Sequence, residues 1–299
     1  MSTQSQTTWT TIQAAAQRGG ANWRIGIVWI FATLIPTAIL SVPVGRVLAE
    51  RLDHSMFAAE WARELNLSAM VELILNSNQF TQALTGAFAV SALLTILLWP
   101  FLTAMIVSTA GEPRRVGFVA LLQGGARGYG RMLRMLLWSV VPFGIAGGIG
   151  GGALYLANKM GETAILESTG DHEQAAALTL LIVLLILAHI SVEAGRAQLA
   201  LDSARRSAVK AWWRGLRLFR SRPWDTFASY AGLTVAGLML IALIGWLRIN
   251  LPHSNLPGIV FALLLTQLIV IAAVWMRTSR LFAMVQISAY LQGGSPRNN

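Results

Sequence analysis

A histidine, a glutamate and an arginine, His189, Glu193 and Arg196, fall at i, i+4 and i+7. That spacing sets all three on one face of a helix. A His–Glu pair so placed is able to relay a proton, and ionisable groups at membrane depth turn toward a bundle interior or a wet cavity. The plainer reading is a structural ion pair of Glu193 with Arg196 or with Arg280. The run Gly195-Arg196-Ala197-Gln198-Leu199-Ala200 is matched by Ser279-Arg280-Leu281-Phe282-Ala283, with Arg277 one turn before Arg280. Two helices that each offer arginine at one depth make an anion pocket suited to a lipid phosphate or a phosphorylated metabolite.

A second set of cations lies between residues 205 and 222. Val209, Trp212, Leu216 and Phe219 recur at helical spacing, and Arg206, Lys210, Arg214 and Arg217 form the opposite stripe. A helix of this kind lies in the membrane interface, where each cation near anionic headgroups contributes about 1 kcal/mol. Arg206, Lys210, Trp212, Trp213, Arg214 and Arg217 are therefore expected to meet anionic lipid. The competing reading is that these cations serve topology alone. Gly144, Gly148 and Gly152 stand at i, i+4 and i+8, a spacing that lets helices approach closely, first inside the bundle and second at a dimer face. They follow no strand, so they are no dinucleotide loop.

Other chemistry is poorly supplied. The chain has no cysteine, and His54, His172, His189 and His253 are too scattered for a metal cluster. No thiol chemistry, metal or other cofactor is expected.

The elements that must position these residues are membrane spans. Of the 299 residues 55% are hydrophobic and 12% charged, against about 25% charged in soluble chains, and mean hydropathy is +0.58. Six apolar runs cover residues 25–44, 83–107, 136–156, 175–192, 227–247 and 259–276. Each is close to the roughly 20 residues a helix needs to cross the hydrocarbon, and none alternates like a barrel strand. The first run is no cleavable signal peptide, being long and without a small-residue cleavage site. The fold class is all-α, a six-span integral membrane bundle with interfacial amphipathic helices. Residues 1–24 form a cytoplasmic segment, 25–289 the membrane domain and 290–299 a cytoplasmic tail.

Charge orients the bundle. With both termini in the cytoplasm, 18 of the 23 Lys and Arg lie on the cytoplasmic side and 9 of the 13 Asp and Glu outside. That is the positive-inside pattern, and it points to a bacterial inner membrane. Trp23, Trp138 and Trp224 open spans one, three and five, while Trp246 and Trp275 close spans five and six, the depth that amphipathic rings favour. Pro36, Pro100 and Pro142 are expected to kink the first three spans. An external amphipathic helix is expected over residues 55–77.

A repeat runs through the chain. A basic, glycine-containing segment precedes spans one, three and five, at Gln17–Arg24, Gln123–Arg131 and Arg214–Trp224. Each unit is such a segment, a span, an external loop and a returning span, which gives three helical pairs. The stretch Asp202-Ser203-Ala204-Arg205-Arg206-Ser207-Ala208-Val209-Lys210-Ala211-Trp212-Trp213-Arg214, followed by Arg220-Ser221-Arg222-Pro223-Trp224 into a span, resembles the six-helix membrane domain of some bacterial glycerophosphodiester phosphodiesterases and related inner-membrane proteins. In those, a basic helix with an Ala-x-x-Arg-x-x-Arg pattern precedes alternate spans. The likeness covers the second half well and the first half loosely. The phosphodiesterase barrel is missing from this chain, so the resemblance implies a stand-alone membrane module without that catalysis.

Three functions are compatible with these residues, in this order. The first is a non-catalytic module that binds anionic lipid or a membrane-protein partner, a second copy included. The second is a transporter or channel for a lipid or a small anionic solute. An embedded enzyme comes last, for want of convergent nucleophiles or carboxylate pairs. The net charge of +10 is not accompanied by a base-reading motif, so nucleic acid is not an expected partner.

Overall fold

The computed structural model describes residues 2–52, 78–111, 116–161, 167–202, 207–251 and 256–293. The segment 55–77, Arg114, Arg115 and Arg206 lie outside these described residues. Within them run eight helices: α1 (Ser2–Ala21), α2 (Trp23–Leu52), α3 (Asn78–Ala110), α4 (Phe118–Gly161), α5 (Glu167–Leu201), α6 (Ala208–Ser221), α7 (Pro223–Ile249) and α8 (Leu256–Gly293). Six of them, α2, α3, α4, α5, α7 and α8, are long and apolar enough to cross a membrane. They coincide with the six apolar runs, and the protein is a multi-pass membrane protein. Six threonines inside the spans are satisfied by their own helices, as lipid favours. Thr33, Thr37, Thr95, Thr103, Thr179 and Thr266 each donate to the carbonyl four residues back.

Three features go beyond the sequence reading. The N-terminal segment is itself a helix, α1, packed along α8 and α7. The basic segment before span three is continuous with it, so α4 has 44 residues and is about 66 Å long. At the corresponding place before span five, Arg222 and Pro223 break the chain between α6 and α7, because proline opens a helix readily but cannot continue one. All four prolines of the first three spans, Pro36, Pro43, Pro100 and Pro142, lie inside unbroken helices.

The returning spans α3, α5 and α8 touch one another in the middle. Around them, α2 packs on α3 and α8, α4 packs on α3 and α5, and α7 packs on α8. The repeat is concrete at three glycines. A Cβ on Gly19 of α1 would strike Ser279 of α8, one on Gly124 of α4 would strike Ser108 of α3, and one on Gly215 of α6 would strike the backbone of Ala194 and Gly195 of α5. In each unit, then, a helix docks by a glycine on a small residue of a returning span. Only a missing side chain allows backbones that near.

All three docks lie at one end of the bundle, which also carries most of the arginines. The core is there too. In α5 the buried residues concentrate between 188 and 199, in α8 between 278 and 288 and in α7 between 226 and 237. Toward the opposite end Leu243, Trp246, Ile249, Leu256, Phe261 and Leu264 are exposed, an outward apolar belt of the kind lipid covers. Arginines also close helix ends at the packed side. Arg18 donates to the Ala110 carbonyl that ends α3 (3.3 Å), and Arg131 donates to the Leu199 and Asp202 carbonyls at the end of α5 (3.2 and 3.3 Å). Cations there complement the negative ends of the helix dipoles.

The expectation that Gly144, Gly148 and Gly152 pack inside the bundle is corrected. All three face outward, and a Cβ on any of them would meet nothing within 4 Å. The close approach of α4 to α5 is made by Gly150, whose Cβ would run into Leu181.

Candidate functional site: a buried arginine cluster

His189, Glu193 and Arg196 do share a face of α5, and that face looks at α8. Glu193 is 4% exposed and Arg280 is 5% exposed. Arg280 Nη2 donates to Glu193 Oε1 across 3.2 Å, and His189 Nε2 lies 3.3 Å from the same oxygen. Arg280 Nη1 also donates to Thr234 Oγ1 at 3.1 Å and to the Tyr230 hydroxyl at 3.4 Å, with its guanidinium 4.8 Å from the Tyr230 ring centroid. The His189 ring stands edge-on to Tyr230 and Phe143, 6.0 and 6.3 Å away. Glu193 lies about 12 Å along α5 from its end at Leu201.

Arg277, one turn before Arg280, lines a small cavity together with Glu193. Its guanidinium is stacked 3.7 Å from the Trp99 ring centroid and 5.5 Å from that of Trp29. Aromatic faces attract a cation, and a planar guanidinium stacks on them better than an ammonium. Between Trp29, Thr103, Ile106, Glu193, Arg196, Arg277 and Leu281 is a cavity of about 20 Å³, room for one water-sized group. Glu193 borders it, and its second oxygen, Oε2, is buried with no hydrogen-bond partner. Arg196 is half-buried at its edge.

The charges do not balance. Arg196, Arg277 and Arg280 gather round one carboxylate, which leaves two guanidiniums in excess even beside a neutral His189. Charge removed from water is costly unless paired, so the arrangement favours an added anion. Every sequence-chosen member of this set, His189, Glu193, Arg196, Arg277 and Arg280, is present in one cluster. Trp29, Trp99, Tyr230 and Thr234 were not anticipated. A signal for the two tryptophans existed: both stand inside apolar runs instead of at their edges.

No protein-family model, curated protein or solved structure matches the chain. Its own geometry is what bears on function.

The second candidate set is divided by the fold. Helix α6 opens at Ser207, whose side chain accepts from the Lys210 N–H, an N-cap of the favoured type. Its protein-facing stripe is Ala208, Ala211, Gly215 and Leu218; of the Val209, Trp212, Leu216 and Phe219 stripe expected in the acyl boundary, only Val209 is exposed and the other three are half-buried. Small residues win because they let α6 settle on the Ala194–Gly195 backbone. Trp212 turns inward, donating to Ser191 Oγ at 3.0 Å and standing edge-on to Trp138 at 5.8 Å. Val209, Lys210, Trp213, Arg214 and Arg217 face outward.

Proposed function

We propose that this protein is a non-catalytic inner-membrane module that binds the phosphate of an anionic lipid in the arginine cluster, from the cytoplasmic side. The observation that carries this reading is the excess of guanidinium over carboxylate round Glu193, Arg196, Arg277 and Arg280. The cavity admits one oxygen, so the phosphate presents a single oxygen to Arg277 and Arg196 while its diester body remains outside. Half-buried Arg196 is the way in, and the outward Lys210, Trp213, Arg214 and Arg217 of α6 supply a basic, aromatic surface for the surrounding headgroups.

The test is lipid retention. The protein is extracted into mild detergent with a mixture of phosphatidylglycerol, cardiolipin and phosphatidylethanolamine, and the bound lipid is read by native mass spectrometry. Arg196→Ala with Arg277→Ala should lower anionic-lipid retention roughly tenfold or more, the scale of one or two charge-assisted hydrogen bonds. Arg280 is left in place because it already holds Glu193. Retention equal to wild type would overturn the reading.

The contact of His189 with Glu193 favours a second reading, proton-coupled transport. Transporters place their polar sites near the midplane, whereas Thr179 and Thr266 there are bonded to their own helices. Proton flux in proteoliposomes that His189→Ala abolishes would move this reading to first place.

A further inference from the structure

A second polar cavity, of about 210 Å³, opens where α1 crosses the start of α7 and the end of α8. Thr8, Thr11, Arg222, Asp225, Ser229, Gln286, Ile287 and Tyr290 line it. Its charged residues already hold one another. Arg222 Nη1 donates to Asp225 Oδ2 at 3.3 Å, and Thr8 Oγ1 donates to Asp225 Oδ1 at 2.7 Å. The Arg222 guanidinium also lies 5.0 Å from the centroid of the Tyr290 ring. Ser229, one of the lining residues, is 0% exposed and its hydroxyl has no hydrogen-bond partner. A buried hydroxyl left unpaired is costly, and a ligand oxygen would remove that cost. Tyr290 stands at the rim, 65% exposed.

We infer that this cavity binds a small zwitterion, with one oxyanion and one primary ammonium a few ångströms apart, as in a phosphoethanolamine group. The oxyanion lies between Arg222 and the Ser229 hydroxyl. The ammonium donates to Asp225 and sits against the Tyr290 face. The charges decide the class, because one cation and one anion leave the cavity neutral, unlike the arginine cluster. Size agrees: the cavity is smaller than the roughly 300–1,000 Å³ of sites for drug-sized ligands. The group arrives either as a free metabolite or as a phosphatidylethanolamine headgroup, since the cavity lies where α1 crosses the start of one span and the end of another, and span ends meet headgroups.

Titration calorimetry on the full-length protein in detergent, with O-phosphoethanolamine as probe, tests the inference. Saturable binding is expected, with Ser229→Ala and Asp225→Asn each weakening it roughly tenfold, the scale of one hydrogen bond to a charged group. Phosphocholine, whose ammonium carries no N–H, should bind more weakly than phosphoethanolamine. Ser229→Ala removes a hydroxyl that has no partner in the protein, so its unliganded melting temperature should equal or exceed that of wild type. Loss of binding in that variant therefore reports the site and not unfolding. For the lipid source, the protein in phosphatidylethanolamine nanodiscs should melt higher than in phosphatidylcholine nanodiscs, and Ser229→Ala should abolish the difference. A response in either arm supports the inference and names the source. Absence of both responses, or full binding by Ser229→Ala, overturns it.

Discussion

Glu193 accepts from Arg280 with one oxygen and borders the small cavity with its side chain, and Arg196 and Arg277 complete its surroundings. Removing one partner of such a buried pair is far costlier than replacing both, because the remaining charge stays buried without compensation. Glu193→Gln should therefore destabilise the protein by about 3–5 kcal/mol, read as a lower melting temperature in detergent. Adding Arg280→Met to that variant should restore most of the loss. If the single variant melts like wild type, Glu193 is not the electrostatic centre of the cluster. The residue types and their i, i+4, i+7 spacing were legible in advance. The stacking of Arg277 on Trp99 was not, since it joins residues of two helices far apart in the chain.

The helices meet at their smallest residues, and this separates two kinds of glycine. Gly215 already brings α6 against Ala194 and Gly195, so that a Cβ there would lie 2.6 Å from backbone atoms. Gly215→Ala must push α6 away, at an overpacking cost of about 1–3 kcal/mol. Gly148, with nothing within 4 Å of its Cβ position, should accept alanine with unchanged or slightly higher stability, since glycine weakens a helix interior. Melting of the two variants in parallel checks both expectations, and equal losses would refute the assignment of faces. Periodicity located α6 and the glycine stripe of α4. It did not fix their rotation, because two adjacent helical faces of α6 are both apolar enough to be buried.

Across the whole molecule, the three docks place one helix per unit on a returning span, so the arginine-rich elements lie together at one end. The orientation of that end in the membrane is open to direct measurement, because the chain has no cysteine of its own. A cysteine introduced as Lys210→Cys should react with an impermeant maleimide in inverted vesicles and stay protected in right-side-out cells. Met160→Cys, near the opposite end of α4, should behave in the reverse manner. The opposite pattern would reverse the orientation that the arginine bias predicts and take the cytoplasmic access of the lipid site with it.

Number and type of the spans followed from residues 25–276 alone, because a long apolar run has no stable state in water and its backbone must hydrogen-bond to itself in lipid. The repeat and the joint placement of His189, Glu193, Arg196 and Arg280 were legible for a related reason: helix period converts spacing directly into faces. Which face turns inward was decided by tertiary structure. In lipid the hydrophobic difference between two apolar faces nearly vanishes, and the fit of small residues such as Gly150, Gly195 and Gly215 selects between them. The aromatic stack on Arg277 and the cavity between α1, α7 and α8 arise from that same selection, made between helices that local sequence does not connect.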